Sequence, residues 1–362
     1  MGDATAPRKL KLVASDFHVG RGKYLPGGNL NHLEDFHHDD AFIEFLDHHA
    51  GGEFAKSEVE LILNGDFFNH LQTDPADPSP EIIDEAAAVS RTREILEGHP
   101  GLFAALRRFA DSSRRSVTFV LGNHDPGLLF AAVHRLLQES IGPRTRIVTG
   151  RYRFDGVLVE HGNQYFADNA YDTRRYFLTE NLPSPVVNLP WGSFFVIHYL
   201  NKVKRERPYF DKIFPFKHYL RWALIHDTLF AFRSIFRIVF YFVWLRFRRD
   251  PHRRSSFVKT LQILKEVPIS PKLDREAKKI LLSERDTHVV VFGHTHYAVL
   301  REFAPGKFYV NTGLWSEKIS LEISNPGRIV RLTYAALEYD DQGRVTPHLR
   351  EWKGSHKMIE EL

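Results

Sequence analysis

Five short clusters of Asp, Asn and His residues occur along the 362-residue chain, and their side chains are of the kinds that bind divalent metal ions. The clusters are Asp16-Phe17-His18, Gly65-Asp66, Gly122-Asn123-His124-Asp125, His161-Gly162 and Gly293-His294-Thr295-His296. Imidazole and carboxylate ligands without thiolates suit a binuclear centre that holds Mn, Fe, Zn or related ions. One cluster alone is more often a turn, because Gly, Asn and Asp favour turns. The whole set is hard to obtain by chance and predicts a two-metal site.

Each cluster directly follows a short aliphatic or β-branched run of the length of a buried strand. The runs are Lys9–Ser15, Val59–Leu63, Val117–Leu121, Gly156–Val159 and His288–Phe292. Helical spacing of apolar residues lies between them, at Asp39–His49, Glu81–Glu97 and Leu102–Ser112. Later β-like runs are Lys307–Val310, Arg328–Tyr334 and Arg344–Trp352. This alternation predicts an α/β fold in which ligands at the carboxyl ends of strands converge on one sheet edge.

With these motifs, residues 9–164 and 286–315 resemble the calcineurin-like metallophosphoesterase superfamily. The resemblance implies a sandwich of two sheets flanked by helices and a metal-dependent hydrolase of phosphoesters. It also implies two divalent ions, with Mn expected first and Fe, Zn or Mg as alternatives. The implied ligands are Asp16, His18 and His296 for one ion, Asn123, His161 and His294 for the other, and Asp66 between them.

His124 is not among the ligands that the resemblance implies. It would protonate the leaving oxygen or stabilise charge on the phosphate, oriented by Asp125, and histidine suits that task because its pKa lies near neutrality. A purely structural role for His124 is the alternative. The segment Asn311-Thr312-Gly313 is predicted to be a turn that supports the metal loop, whereas His37-His38 and His48-His49 are expected to face solvent.

The α/β pattern is interrupted from Tyr165 to about Glu284, where the chain becomes aromatic, basic and helical in pattern. Between Asn201 and Arg254 there are 14 Lys and Arg against four acidic residues, although the whole chain has a net charge of only +4. A basic segment favours an anionic partner such as lipid head groups, nucleic acid or a phosphorylated substrate. We therefore predict a core of residues 1–164 and 285–362 with a helical insertion at 165–284.

The run Tyr219–Arg249 in this insertion is apolar on nearly every side of a helix, with Arg233 and Arg237 within it and further arginines at its end. Such a helix must be buried or must meet lipid, and flanking arginines suit an anionic membrane surface. A helical cap packed on the core is the plainer alternative. A nucleic-acid surface is disfavoured, because the apolar residues are contiguous rather than interleaved with charge.

The start of the insertion, from His161 to Arg175, is similar to the corresponding stretch of UDP-2,3-diacylglucosamine pyrophosphatases, which act in lipid A biosynthesis. That resemblance implies a helical lid over the acyl chains of the substrate. It also implies that the substrate is held near the metals by Asp168, Tyr171 and Arg174 or Arg175. Asp168 could equally cap a following helix, which is a common role for Asp.

These observations predict a hydrolase that cleaves a phosphoester or pyrophosphate bond in a lipid-linked or amphiphilic substrate. A soluble metallophosphatase or phosphodiesterase acting on nucleotides, phosphoproteins or nucleic-acid ends is the alternative. A non-catalytic scaffold is disfavoured, because the full ligand set and His124 are present. The chain has no cysteine, which excludes disulfides and thiolate catalysis.

Location is expected to be cytoplasmic and peripheral on the membrane face. The N-terminal segment lacks the long apolar region of a cleavable signal peptide. The most apolar run, Ile238–Leu245, is far shorter than the roughly 20 residues of a membrane-spanning helix. The sequence leaves the oligomeric state open.

Overall fold

The computed structural model describes residues 9–72, 77, 79–246, 273–322, 326–355 and 360–361. Its strands are β1 (Lys9–Ala14), β2 (Glu58–Asn64), β3 (Arg115–Val120), β4 (Thr145–Val148), β5 (Tyr152–Phe154), β6 (Val157–Val159), β7 (Phe177–Leu178), β8 (Val186–Val187), β9 (Ile213–Phe214), β10 (Val289–Phe292), β11 (Ala298–Ala304), β12 (Lys307–Thr312), β13 (Glu317–Ser320), β14 (Gly327–Val330), β15 (Leu332–Tyr339), β16 (Val345–Trp352) and β17 (Glu360–Glu361). Its α-helices are α1 (Asp39–Ala50), α2 (Glu85–Gly98), α3 (Pro100–Asp111), α4 (Ala131–Ile141), α5 (Trp191–Phe195), α6 (Asn201–Glu206), α7 (Phe216–His226), α8 (Thr228–Arg246) and α9 (Leu273–Ser283).

Two large sheets form the centre of the fold. The first has the strand order β17-β16-β15-β1-β2-β3-β4, and the second has the order β11-β12-β10-β6-β5. Strands β1 to β4 pair in parallel, as do β6, β10 and β12. The carboxyl ends of these parallel strands therefore lie at one edge of each sheet.

Side-chain alternation along the strands explains the layering. Val13, Ile62 and Val120 point from the first sheet into an apolar layer shared with the second sheet, where they meet residues such as Val159 and Val291. The alternate positions on β1 to β3 belong to a separate core formed with α1 to α4. Helix α9 covers the outer face of the second sheet. The predicted α/β sandwich of two sheets flanked by helices is confirmed.

Several element boundaries differ from those expected from the sequence. The predicted strand Arg328–Tyr334 is split into β14 and β15, which belong to different sheets. Helix α2 begins only after Asp84, whose carboxylate accepts the Ala87 N–H at 2.9 Å. The predicted helix Tyr219–Arg249 is two helices, α7 and α8, and residues 247–249 lie outside the described part.

The prediction that His48-His49 faces solvent is wrong for His49. Its side chain is buried on α1, where Nδ1 lies 2.8 Å from the Phe45 carbonyl oxygen. The ring packs against Phe45, Phe54 and Trp352. Because β16 brings Trp352 over this end of α1 from far along the chain, the pattern within α1 alone could not show the burial.

The insertion also differs from the predicted helical span of residues 165–284. Its first part contains the β7–β8 hairpin rather than a helix, and Phe177 and Val187 of this hairpin pack on the core of the first sheet. Its last part, α9, packs Leu273, Ala277 and Ile280 on the second sheet. Both ends therefore belong to the sandwich, because their apolar side chains cover its sheets. The described helical part that stands apart is α5 to α8.

A π-helical turn, Val196–Leu200, joins α5 to α6 in this helical part. A separate apolar cluster containing Tyr199, Phe210 and Phe230 holds the helices together. The insertion also contributes β9 to a small sheet of order β14-β13-β9, in which β9 pairs in parallel with β13. Turns of the π type recur at functional sites, and this one lies beside the candidate centre described below.

A histidine between α2 and α3 braces the loop that precedes α1. His99 Nδ1 is 2.7 Å from Asp39 Oδ1, and His99 Nε2 is 3.4 Å from Glu34 Oε2. Burial alone would lower the pKa of His99, but hydrogen bonds to these two carboxylates outweigh it and raise the pKa to about 9. The Glu34 carboxylate also accepts the backbone N–H groups of Gly20 and Gly22. His99, Asp39 and Glu34 together thus hold the chain that follows Asp16-Phe17-His18 in place.

Candidate metal centre

The five predicted clusters lie at the carboxyl ends of β1, β2, β3, β6 and β10. Backbone hydrogen bonds join the loops that carry them. Asp16 N donates to Gly65 O at 3.1 Å, His18 N to Asp66 O at 2.9 Å, and Gly293 N to His161 O at 2.9 Å. These bonds join loops within each sheet, and the His294 N–H, which donates to Asp16 Oδ2 at 3.0 Å, joins the loops of the two sheets.

The backbone at this point is held in a conformation that most residues avoid. Five of the predicted ligands have left-handed φ angles: Asp16 (58°), His18 (54°), Asp66 (50°), His294 (68°) and His296 (61°). Residues other than glycine seldom adopt positive φ, and such conformations cluster at functional sites. Each strained turn reverses the chain directly after a buried strand and directs the side chain across the sheet edge.

The candidate ligand atoms form three overlapping groups of three residues. Within each group, the three ligand atoms lie within 4.8 Å of one another. The groups are Asp16, His18 and His296; His18, Asp66 and His124; and Asp66, His161 and His294. Asp66 is shared by the last two, and its Oδ2 is 3.1 Å from His161 Nε2 and 4.0 Å from His18 Nε2. Asp66 therefore lies between the group that contains His18 and the group that contains His161.

Buried polar atoms without a hydrogen-bond partner point to the same two-ion arrangement. Asp16 Oδ1, Asn123 Oδ1 and His161 Nε2 are buried, and none makes a hydrogen bond of acceptable geometry within the described residues, although Asp16 Oδ1 and His161 Nε2 each lie near another candidate ligand. Such atoms are costly in a native fold unless another ligand satisfies them. All three belong to the predicted metal ligands, and oxygen and imidazole nitrogen donors suit divalent ions. The residues therefore fit two divalent metal ions.

Electrostatics distinguish the imidazoles of the centre. His161 Nδ1 donates to the Asn64 carbonyl oxygen at 2.9 Å, which leaves Nε2 with its lone pair towards the centre. Burial alone would lower the pKa of His161, but Asp66 and Asp16 outweigh it and raise the pKa to about 10. Burial and then His161 lower the pKa of His294 to about 3. A proton and a metal ion therefore compete for His161, so metal binding should weaken in acid.

Two glycines allow the loops to come this close. A Cβ on Gly65, whose φ is +78°, would overlap the His161 ring. A Cβ on Gly122 would overlap the backbone N and the carboxylate of Asp66. Both overlaps involve atoms fixed by the centre, so neither can be relieved by moving a flexible side chain.

His124 lies beside the centre as predicted, with its ring centroid 4.6 Å from that of His18. The predicted partner is wrong, however. The Asp125 carboxylate accepts the backbone N–H groups of Asp66, Phe68 and Gly122 at 2.6, 2.7 and 3.0 Å, and so braces the loops instead of the His124 ring. Two of these donors lie in the loop after β2 and the third in the loop after β3, so the Asp125 carboxylate joins the two loops.

Asn69 holds His124 instead, with Asn69 Oδ1 3.2 Å from His124 Nδ1. Burial lowers the pKa of His124 to about 4. The imidazole is therefore neutral at pH 7 until an anionic group approaches it. Asn69 follows Asp66 by three residues, and this spacing within one loop was the available sequence signal.

The four predicted substrate-binding residues are not brought to one place. Tyr171 lies next to the centre, where its hydroxyl donates to the Asn123 carbonyl oxygen at 3.2 Å. Asp168 accepts the Gly192 N–H through its own carbonyl at 2.7 Å, and the next helix, α5, starts only at Trp191. Arg174 is exposed, and Arg175 pairs with Glu180 at 2.9 Å. Their part in substrate binding stays a prediction.

A cavity of about 310 Å³ opens from the centre towards the insertion. His18, His124 and His296 form its floor, and Val196, Leu200 and Phe214 contribute an apolar wall. Lys204, Lys212 and Lys318 also line it. Lys318 Nζ donates to the His296 carbonyl oxygen. These lysines were missed from the sequence because nothing near them in the chain marks a site.

Lys204 links the two parts of the molecule through buried ion pairs. Its Nζ is 2.6 Å from Asp35 Oδ1 and 2.8 Å from Asp211 Oδ2. Lys212 Nζ lies 3.6 Å from the same Asp35 oxygen and 3.3 Å from Glu317 Oε1. The cavity wall contributed by the insertion is therefore anchored to the sandwich by charge.

Ser15, Asn311 and Thr312 support the ligand loops. Ser15 Oγ donates to the Asp16 carboxylate and lies 2.6 Å from Thr312 Oγ1. Asn311 Nδ2 donates to Gly293 O at 2.8 Å and to Thr295 Oγ1 at 3.1 Å. Asn311 and Thr312 are the last residues of β12 rather than part of the predicted turn, and from there they support the ligand loops.

Comparison with known proteins identifies the family of the chain. The sequence model of the calcineurin-like phosphoesterase family matches residues 11–298. No curated protein matches the chain. Similar solved structures include a Vps29 single mutant from Entamoeba histolytica, at 13% identity over 98% of both chains and a TM-score of 0.32. They also include a dimetal phosphatase from Danio rerio, at 10% identity over 96% of this chain and 100% of that one, with a TM-score of 0.33.

The family match spans the clusters from Asp16 to His296, and the structure gathers their side chains into a centre suited to two divalent ions. The chain therefore belongs to the calcineurin-like phosphoesterase family and is a metal-dependent phosphoester hydrolase.

Proposed function

We propose that this hydrolase cleaves a phosphoester or pyrophosphate bond in an amphiphilic, lipid-linked substrate such as UDP-2,3-diacylglucosamine. The observation that carries the proposal is the cavity beside the metal centre, in which an apolar wall lies close to Lys318, the lining lysine that is not paired with a carboxylate among the described residues. Lys318 suits a phosphate group, and the apolar wall suits a hydrocarbon part of the same molecule. The similarity of residues 161–175 to UDP-2,3-diacylglucosamine pyrophosphatases is consistent with this substrate class.

Two divalent ions bound by the predicted ligands would polarise the phosphate and activate water for attack at phosphorus. The chain's own groups prepare the rest of the reaction. His124 is neutral at first, and an incoming phosphate anion favours its protonation, so it can then donate a hydrogen bond or a proton to the leaving oxygen. Asn69 keeps the ring in place, and Asp125 holds the loops that carry Asp66 and Asn123.

The cavity favours a substrate that extends away from the metals towards the insertion. Lys318 can meet a second anionic group, while Val196 and Leu200 on the π-helical turn can meet an acyl chain. A small water-soluble diester would use the metal centre but would leave this apolar wall without contact. Binding energy from such remote contacts contributes to catalysis in enzymes that position large substrates.

Hydrolysis of UDP-2,3-diacylglucosamine in detergent micelles with Mn²⁺ tests the proposal. We expect release of UMP by the parent chain and by His32→Ala, in which an exposed histidine is replaced. We expect little or none from Asp66→Ala or His124→Ala. Metal-dependent hydrolysis of water-soluble diesters or nucleotides, without UMP release, would discard the lipid-linked substrate and favour the soluble phosphodiesterase alternative.

A further inference from the structure

Helix α8 presents a large apolar surface away from the rest of the protein. Six of its side chains, Leu229, Phe232, Phe236, Val239, Phe240 and Val243, are between 48% and 73% exposed. On the preceding helix α7, Trp222 and Ile225 are 50% and 72% exposed. Folded proteins seldom leave so many large apolar side chains together in water, and such patches mark interaction sites.

Helical periodicity shows that this outward surface is a continuous stripe. The six exposed positions follow one another at steps of three, four, three, one and three residues, which keeps them on one side of a helix with 3.6 residues per turn. The stripe from Leu229 to Val243 is about 21 Å long at the helical rise of about 1.5 Å per residue. Phe230, Ala231 and Tyr241 lie on the opposite side and are buried. The insertion therefore covers one side of this mostly apolar helix and leaves the stripe on the other side exposed.

The charges around the stripe are almost all positive. Between residues 216 and 246 the single acidic residue is Asp227. Arg221 is exposed on α7, and Arg233 and Arg237 lie on one flank of the stripe, where both pair with Glu206. Apolar side chains flanked by arginines match the interface of a membrane that carries anionic lipids.

We infer that the outward face of α7 and α8 docks on an anionic lipid bilayer, with the α8 stripe in the interface and the arginines at the head groups. Within the described ranges, no helix combines the length and hydropathy that crossing a bilayer requires, so α8 lies along the surface. A two-fold contact with the α8 helices antiparallel would instead bring the Arg233 and Arg237 flank of one copy near the same flank of the other, which disfavours self-association in that arrangement.

The docking face lies one helix away from the catalytic cavity. The segment 196–206 places Val196, Leu200 and Lys204 in the cavity beside the metal centre. Its other side places Tyr199 and Val203 in a groove that α8 closes with Phe240 and Tyr241. A bilayer on the outer face of α8 would therefore bring lipid next to the cavity. The inference rests on the exposed face alone and does not depend on which phosphoester is cleaved.

Co-sedimentation with lipid vesicles tests the docking face. We expect the parent chain to bind phosphatidylcholine–phosphatidylglycerol vesicles and to bind phosphatidylcholine vesicles more weakly, with binding that decreases as salt is added. Phe236→Asp should lower the vesicle partition coefficient by about tenfold or more, because a half-inserted phenyl ring is replaced by a charge. The matched control is Leu282→Asp, at a position 59% exposed on α9, which should bind as the parent does.

Either of two results would overturn the docking face: a parent chain that stays in the supernatant, or equal binding by Phe236→Asp and Leu282→Asp. A concentration-dependent dimer that Phe236→Asp dissociates would assign the face to a second copy instead. Circular dichroism should show that Phe236→Asp remains folded, since this side chain is exposed. Asp66→Ala should bind vesicles as the parent does, so a failure of the proposed hydrolysis remains separate from a failure of docking.

Discussion

Replacing Lys204 by methionine removes the cation that links the insertion to the sandwich. Burial alone would raise the pKa of Asp35, but Lys204 and then Lys212 outweigh it and hold the pKa at about 2, against an ordinary value of 3.8. A shift of this size corresponds to about 2.5 kcal/mol, most of it supplied by Lys204. Breaking a buried ion pair by removing one partner costs about 3–5 kcal/mol. We therefore expect Lys204→Met to lower the free energy of unfolding by about 3 kcal/mol at pH 7.

The pH dependence of this loss follows from the direction of the Asp35 shift. A carboxylate whose pKa is lowered by folding stabilises the native state above its unfolded pKa, and this contribution disappears as the pH falls through the folded pKa. The gap between parent and Lys204→Met should thus be constant from pH 7 to about pH 5 and should narrow from about pH 4 towards pH 2. Urea denaturation followed by tryptophan fluorescence at these pH values measures the gap.

Lys202→Met provides the matched control, because Lys202 is exposed on the same helix. We expect that variant to remain within about 0.5 kcal/mol of the parent, as surface substitutions do. The reasoning is refuted if Lys204→Met unfolds no more easily than Lys202→Met. It is also refuted if the gap does not change as Asp35 becomes protonated, because the loss would then come from packing rather than charge.

Three further outcomes are expected. His99→Gln should lower the free energy of unfolding by at most about 3 kcal/mol, because the raised pKa of His99 stabilises the native state. This loss should be fully present below about pH 6.5 and should disappear as the pH rises through about 9. Denaturant titrations from pH 6 to 9 measure it. Asn69→Ala should lower kcat about tenfold with little change in KM, since it releases the His124 ring but leaves the metal ligands intact. A KM that changes as much as kcat would contradict the role given to Asn69. Chelation of divalent ions should abolish hydrolysis and lower the thermal midpoint, because Asp66 and its neighbours lose their cations, and added Mn²⁺ should restore both.

The fold class could be predicted from the sequence, and the candidate ligand clusters could be located in it, because their signals are local. A buried strand is recognisable from a few consecutive residues, and each ligand follows its strand within about three positions. Asp66 and Asn123 could be found without knowing what surrounds them. Their convergence could also be predicted, because parallel strands end at one edge of the sheet and bring together clusters that lie far apart in the chain.

Contacts between distant segments could not be read in this way. Lys204 and Asp35 are separated by 169 residues, and no local pattern marks either of them as half of a buried pair. The partner of His124 was predicted as its neighbour Asp125, whereas the folded loop presents Asn69. His49 was expected in water because its own helix cannot show that Trp352 lies above it.

Helix α8 also shows the difference between what neighbouring residues determine and what depends on the folded chain. Its residues alone showed that it is apolar on nearly every side, and therefore that it must meet either protein or lipid. Which side is covered depends on the packing of Phe230 and Tyr241 against the rest of the insertion, and this packing leaves the stripe from Leu229 to Val243 outside. Composition and periodicity are properties of neighbouring residues, whereas burial and ion pairing depend on distances that exist only once the whole chain has folded.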